Sequence, residues 1–129
     1  MACWLFKQEP DAYSYADLVR DGSTTWDGVG NAVALKHLRQ VQVGDAIWFY
    51  HTGKQKAIVG EMRATAIEGG IVRVEPVRPL AQPVTLAMVK ADDTLATWEL
   101  VRLPRLSVMP VSDAQWLRIR ELAGEMLPE

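Results

Sequence analysis

The segment AIWFYHT, residues 46–52, constrains the fold more than any other stretch of the chain. Side chains of a strand alternate between two faces. Here Trp48 and Tyr50 fall on one face and Ile47 and Phe49 on the other, so neither face suits water. A strand of this kind needs a covering layer on each side, as in the wall of a small barrel with helices packed outside. Turn-forming stretches bound it: VGD at 43–45 and GKQK at 53–56, the second with the composition of a hairpin turn.

The neighbouring segments supply the rest of such a barrel. ACWLFK (2–7) reads as a strand with Trp4 and Phe6 on one face and Cys3, Leu5 and Lys7 on the other, ended by Pro10. AIVGEMRATAIE (57–68) and IVRVEPVRPL (71–80) read as strands joined at Gly69-Gly70. In the second, Val72, Val74 and Val77 mix with Arg73, Glu75 and Arg78, and Pro76 limits its pairing to an edge or a bulge. RLSVMPV (105–111) is a final strand.

Helical signals lie between these runs. Ser14, Asp17 and Gly22 cap and stop a short helix in YSYADLVRDG. Ala34, Leu35, Leu38 and Val41 recur at helical spacing in NAVALKHLRQV (31–41). Thr85 caps TLAMVKAD, and Ser112 with Gln115 opens a last helix in which Trp116, Ile119, Ala123 and Met126 share a face. TTWDGVGN (24–31) reads as a turn, and residues 93–104 as irregular. The order predicts an α+β fold: a small, mostly antiparallel β-barrel of about five or six strands with flanking short helices.

Residues 1–129 read as one domain, since that length suits a single core. Hydrophobic residues at 49% and charged residues at 23% match a folded soluble chain. No stretch reaches the roughly 20 apolar residues of a membrane helix, and MACWLFKQEP lacks the pattern of a secretory signal. A cytoplasmic setting with no membrane partner is expected. Cys3 is the sole cysteine, so no intrachain disulfide and no cysteine-rich metal site forms.

A net charge of −2 argues against gripping nucleic acid mainly by phosphate neutralisation. Residues 36–56 nevertheless carry Lys36, Arg39, Lys54 and Lys56 against one acid, Asp45. Taken alone, those cations read as a solvated surface. No P-loop, GxSxG, HExxH, GxGxxG or CxxC motif occurs, and neither cofactor nor metal is expected. His37 and His51 lie on different elements and read as one surface and one strand-end histidine. Lys7 and Glu9 with a nearby Thr hydroxyl form a set that activates nucleophiles elsewhere. The plainer reading is an exposed ion pair.

Trp26 leaves two readings open. The turn folds back and buries the ring, or the ring is a platform for a planar base, where stacking is worth ~1–3 kcal/mol. Asp27 and Asn31 have the donors and acceptors to read a base edge.

Five blocks bear on that choice: WLFKQEPDAYSYADL (4–18), WDGVGN (26–31), LRQVQVGDAIWFYHTG (38–53), IVGE (58–61) and RLSVMPV (105–111). In this order they resemble the EVE domain family. The resemblance implies a PUA-like fold and kinship with YTH domains, which hold methylated adenine in an aromatic cage. It implies a non-catalytic module that recognises a modified base, chiefly in DNA, with nucleic acid as partner. By the same resemblance the base pocket comprises Trp26, Asp27, Asn31, Lys7, His51, Thr52, Leu106 and Ser107. Lys36, Arg39, Lys54 and Lys56 become candidate phosphate contacts. Many members of the family carry Arg where this chain has Gly30, and Ser where it has Gln8. The related ASCH domains include amidohydrolases acting on acylated cytidine through Lys, Thr and Glu, so Lys7, Thr52 and Glu9 offer an enzymatic alternative. A protein-interaction module with a vestigial pocket is the third.

Overall fold

The computed structural model describes residues 2–26 and 29–125. Its frame is one six-stranded sheet, in the order β2 (Thr24–Trp26), β5 (Ile71–Thr85), β4 (Ala57–Glu68), β3 (Ala46–His51), β1 (Cys3–Gln8), β6 (Val108–Val111). Every neighbouring pair is antiparallel except β1 with β3, which runs parallel from Cys3↔Ala46 to Gln8↔His51. The sheet is a curled half-barrel: Trp26 on the β2 edge touches Phe6 on β1, four strands away in the order.

Register shifts in β4 and β5 accompany the curl, at Ile58/Gly60, Glu61/Met62 and Ala64/Ala66. An unpaired extra residue bends a strand and increases its twist. Pro76 sits at one of these shifts, opposite Met62, where a missing N–H is tolerated. Arg78 pairs with Glu61, so Val77 is the extra residue, and it is exposed while Val72 and Val74 are buried.

Both faces of β3 are covered, as its composition demands. Trp48 stacks on Trp116 of α5 (Asp113–Leu122) with ring centroids 3.9 Å apart. On the other face Phe49 meets Tyr15 of α1 (Tyr15–Asp21) edge-on at 5.5 Å. Ser14 caps α1 in a reciprocal capping box, and Gly22 ends it in the left-handed conformation at φ 80°. Tyr15 lies flat on β4 because residue 60 is glycine: a Cβ there would stand 2.4 Å from a Tyr15 ring carbon. The Tyr15 hydroxyl donates to the Glu61 carbonyl at 2.7 Å, and burial pushes its pKa up to about 12.

Asp45 anchors the start of β3. Its buried carboxylate accepts from Trp4 Nε1 at 2.9 Å, the Gln42 N–H at 2.8 Å and the Ala2 N–H at 3.3 Å. The acid that looked like part of a surface charge pattern is thus a core hydrogen-bond acceptor.

Several expected boundaries shift. Thr24–Trp26, read as turn, forms edge strand β2, whose pairing with Val72–Val74 the short segment does not announce. Residues 93–104 contain α4 (Glu99–Arg102), and β6 begins at Val108, not at 105. α2 (Ala32–Leu38) and α3 (Leu86–Lys90) occupy the expected places. Met126 lies outside the described residues. Among those described, no helix is long and apolar enough to cross a membrane.

Gly60→Ala is predicted to lower stability by roughly 1–3 kcal/mol through overpacking against Tyr15. Tyr15→Phe, which removes the hydroxyl and its bond to Glu61, is predicted to cost about 1 kcal/mol. Urea denaturation of both variants checks the order; a Gly60→Ala variant as stable as the original chain would refute the close approach.

Candidate nucleic-acid interface

Trp26 is the centre of an aromatic nest. Its ring lies 5.2 Å from Phe6 at 46° and 5.5 Å from Phe49 at 88°. Only 5% of the residue is exposed. The ring therefore rests against the protein's own core, and a base can stack on it only by displacing part of that packing. His51 extends the nest, edge-on to Phe49 at 5.4 Å. Its Nε2 accepts the Tyr15 backbone N–H at 3.0 Å, so the proton of the neutral ring sits on Nδ1, 2.6 Å from Gln55 Oε1. His51 thus satisfies the first turn of α1 and is buried.

Asn31 caps α2. Its Oδ1 accepts from the Val33 and Ala34 N–H groups at 2.9 and 3.0 Å. That use leaves Nδ2 without a partner among the described residues. Asn31 also lines a cavity of about 310 Å³ with Val33, Leu103, Pro104, Leu106 and two arginines, Arg102 and Arg105. Arg102 donates to the Thr97 carbonyl and faces Glu99 at 3.8 Å, whereas Arg105 has no ion pair among the described residues. Of the expected pocket residues, then, Asn31 and Leu106 meet in one cavity. Ser107 follows Leu106, and its carbonyl accepts the Lys7 N–H at 2.9 Å. Asp27 lies outside the described residues.

Lys7 and Thr52 belong to a different recess. The strand alternation that aims Phe6 and Phe49 at Trp26 puts Lys7 beside Tyr50 on the opposite side. Lys7 Nζ stands 5.5 Å from the Tyr50 ring centroid and donates to the Pro104 carbonyl at 2.9 Å. Burial holds its pKa below the ordinary lysine value. Lys7, Tyr50 and Thr52 line a cavity of about 320 Å³ with Lys56, Lys90 and Leu100. The Thr52 hydroxyl donates to Glu9 at 3.1 Å, and no Lys7–Glu9 ion pair occurs among the described residues. The four expected phosphate contacts also separate: Lys36 and Arg39 are exposed around α2, while Lys54 and Lys56 line a groove with Lys90.

Sequence reasoning does not single out Arg105 and Lys90. Arg105 opens RLSVMPV, a block from which only Leu106 and Ser107 are read as pocket residues, and Lys90 carries no signal beyond the end of a five-residue helix.

The EVE domain model matches residues 2–122. The chain belongs to the EVE domain family. Among curated relatives, rat thymocyte nuclear protein 1 is 38% identical over 72 residues, which is 46% of this chain and 32% of that protein. The matched segment spans about a third of the length of these curated relatives. A crystal structure from Agrobacterium tumefaciens superimposes with a TM-score of 0.93 at 30% identity, covering 99% of this chain and 97% of that one. Human thymocyte nuclear protein 1, crystallised in complex with 5-methylcytosine-containing DNA, shares the fold at a TM-score of 0.88 and 23% identity, over 98% and 100% of the two chains. An ASCH protein of Zymomonas mobilis is a more distant likeness of fold, with a TM-score of 0.58 at 12% identity over 93% and 94%. This EVE domain carries Gly30 where the resemblance implies arginine in many members, and a Cβ there would meet nothing within 4 Å.

Two outcomes follow for the EVE domain. Trp26→Ala is predicted to destabilise it by roughly 3–5 kcal/mol, as truncation of a buried tryptophan does. Gly30→Arg is predicted to leave stability within about 0.5 kcal/mol. Thermal and urea unfolding of the two variants check both; a harmless Trp26→Ala would contradict the ring's place in the core.

Proposed function

We propose that this EVE domain is a non-catalytic reader of a modified base in nucleic acid, with methylated cytosine in DNA as the first candidate. The observation that carries the reading is membership of a family in which a protein of the same fold was crystallised with 5-methylcytosine DNA. The cavity of Asn31 and Leu106 suits that task. Val33, Leu103, Pro104 and Leu106 give apolar walls for a flat ring and its methyl group. Asn31 Nδ2 offers a donor to a base-edge acceptor. Arg105 supplies a cation to a flanking phosphate, and it does so in the cavity lined by Asn31, the residue next to Gly30. A flipped base costs a few kcal/mol to extract, which these contacts must recover. Trp26 stands outside this cavity as a packed core ring.

The amidohydrolase alternative draws on Lys7, Thr52 and Glu9. The Thr52–Glu9 hydrogen bond favours it, but Lys7 is engaged by Pro104 instead of that pair. Acylated cytidine incubated with the protein is expected to release no free acid.

The decisive measurement is fluorescence anisotropy with matched oligonucleotides carrying methylated, hydroxymethylated or unmodified cytosine. Tighter binding to a modified strand is expected, weakening as salt rises. Asn31→Asp keeps the capping oxygen and removes the amide donor, so it should fold normally and lose the preference. Arg105→Ala should weaken all strands alike and reduce the salt dependence. Equal affinity for every oligonucleotide would overturn the reading and favour a protein-interaction module.

A further inference from the structure

The recess of Lys7 and Tyr50 is not used by the base reading, and its charge has no evident internal purpose. Three lysines and no carboxylate line it: Lys7 from β1, Lys56 from the β3–β4 turn and Lys90 from α3. A groove lined by Lys54 continues from it, sharing Lys56 and Lys90. Every ion pair among the described residues is made by an arginine, so these four lysines have no acidic partner there. The acid beside the recess, Glu9, accepts from the Thr52 hydroxyl and makes no ion pair among the described residues. Lysines from three stretches of chain leave the recess net positive, which a bound anion complements.

Two features show how the cluster is held. Lys7 is half-buried, and its ammonium meets only a neutral carbonyl, Pro104, and the face of Tyr50. Lys56 adopts a left-handed backbone at φ 45°, uncommon for a residue with a side chain, and its carbonyl accepts the Leu86 N–H at 2.8 Å. Thr52, Gly53, Leu86 and Pro104 also line it, together with Tyr50 and Leu100, which are 3% and 2% exposed. Three lysines around a mixed polar and apolar wall, in about 320 Å³, fit a small organic anion.

We infer that this recess binds a phosphate monoester of mononucleotide size. Lys7, Lys56 and Lys90 take the phosphate, and Leu86, Thr52 and Pro104 border the body of the ligand. The ligand is either a free nucleoside monophosphate or the phosphorylated end of a strand, since both present the same group.

Calorimetric titration of the whole chain tests this with cytidine and adenosine 5′-monophosphates, the parent nucleosides, and inorganic phosphate. The monophosphates are expected to bind, and the nucleosides and inorganic phosphate to bind at least about tenfold more weakly. Lys56→Gln and Lys90→Gln, both at exposed positions, should each weaken monophosphate binding about tenfold with unchanged melting temperature. A monophosphate affinity that falls in Arg105→Ala but in neither lysine variant would place the ligand in the base cavity and overturn the inference. A preference for a 5′-phosphorylated over a 5′-hydroxyl oligonucleotide would identify the strand end as the source; equal binding of the two would identify the free nucleotide. No heat from either monophosphate, nucleosides that bind as well as their monophosphates, or an affinity unmoved in both lysine variants would overturn the inference.

Discussion

The curl of the sheet depends on Trp26 resting between Phe6 and Phe49. These three rings come from β2, β1 and β3, and the strand order would otherwise keep the first far from the other two. An open sheet with that composition would leave a large aromatic surface in water. Bending it brings the β2 edge over β1 and β3 and buries all three rings at once. The bulges of β4 and β5 let the long strands follow the bend. The glycine at 60 lets Tyr15 close the nest from the helix side.

Much of this was legible in the chain. AIWFYHT required cover on both faces, and the rings of Trp116 and Tyr15 provide it. The caps at Ser14, Thr85 and Ser112 sit where the sequence put them, because a cap depends on residues only three positions apart. β2 was not legible: three residues make no period, and their partner strand lies almost fifty positions away. The β1–β3 parallel pairing was equally hidden, since pairing direction is a property of the tertiary path.

The candidate site was legible in its types more than in its grouping. Asn31, Leu106 and Lys7 are all prominent in the sequence, yet alternation along β1 and β3 sends Phe6 and Lys7 to opposite sides of the sheet. Trp26 shows the limit most plainly. Its two uses, as core and as platform, draw on the same flat apolar surface, so residue type cannot separate them. Only the positions of Phe6 and Phe49 do.

Pro104 joins the two recesses. It lines the cavity of Asn31 and Leu106 on one side and that of Lys7 and Tyr50 on the other, and its carbonyl holds the Lys7 ammonium. An anion that draws Lys7 away would free the carbonyl of a residue forming the wall of the neighbouring cavity. Linkage then requires reciprocity: whatever factor one occupant imposes on the affinity of the other is returned unchanged. A single shared proline would make this small domain sensitive to the combination of what it holds.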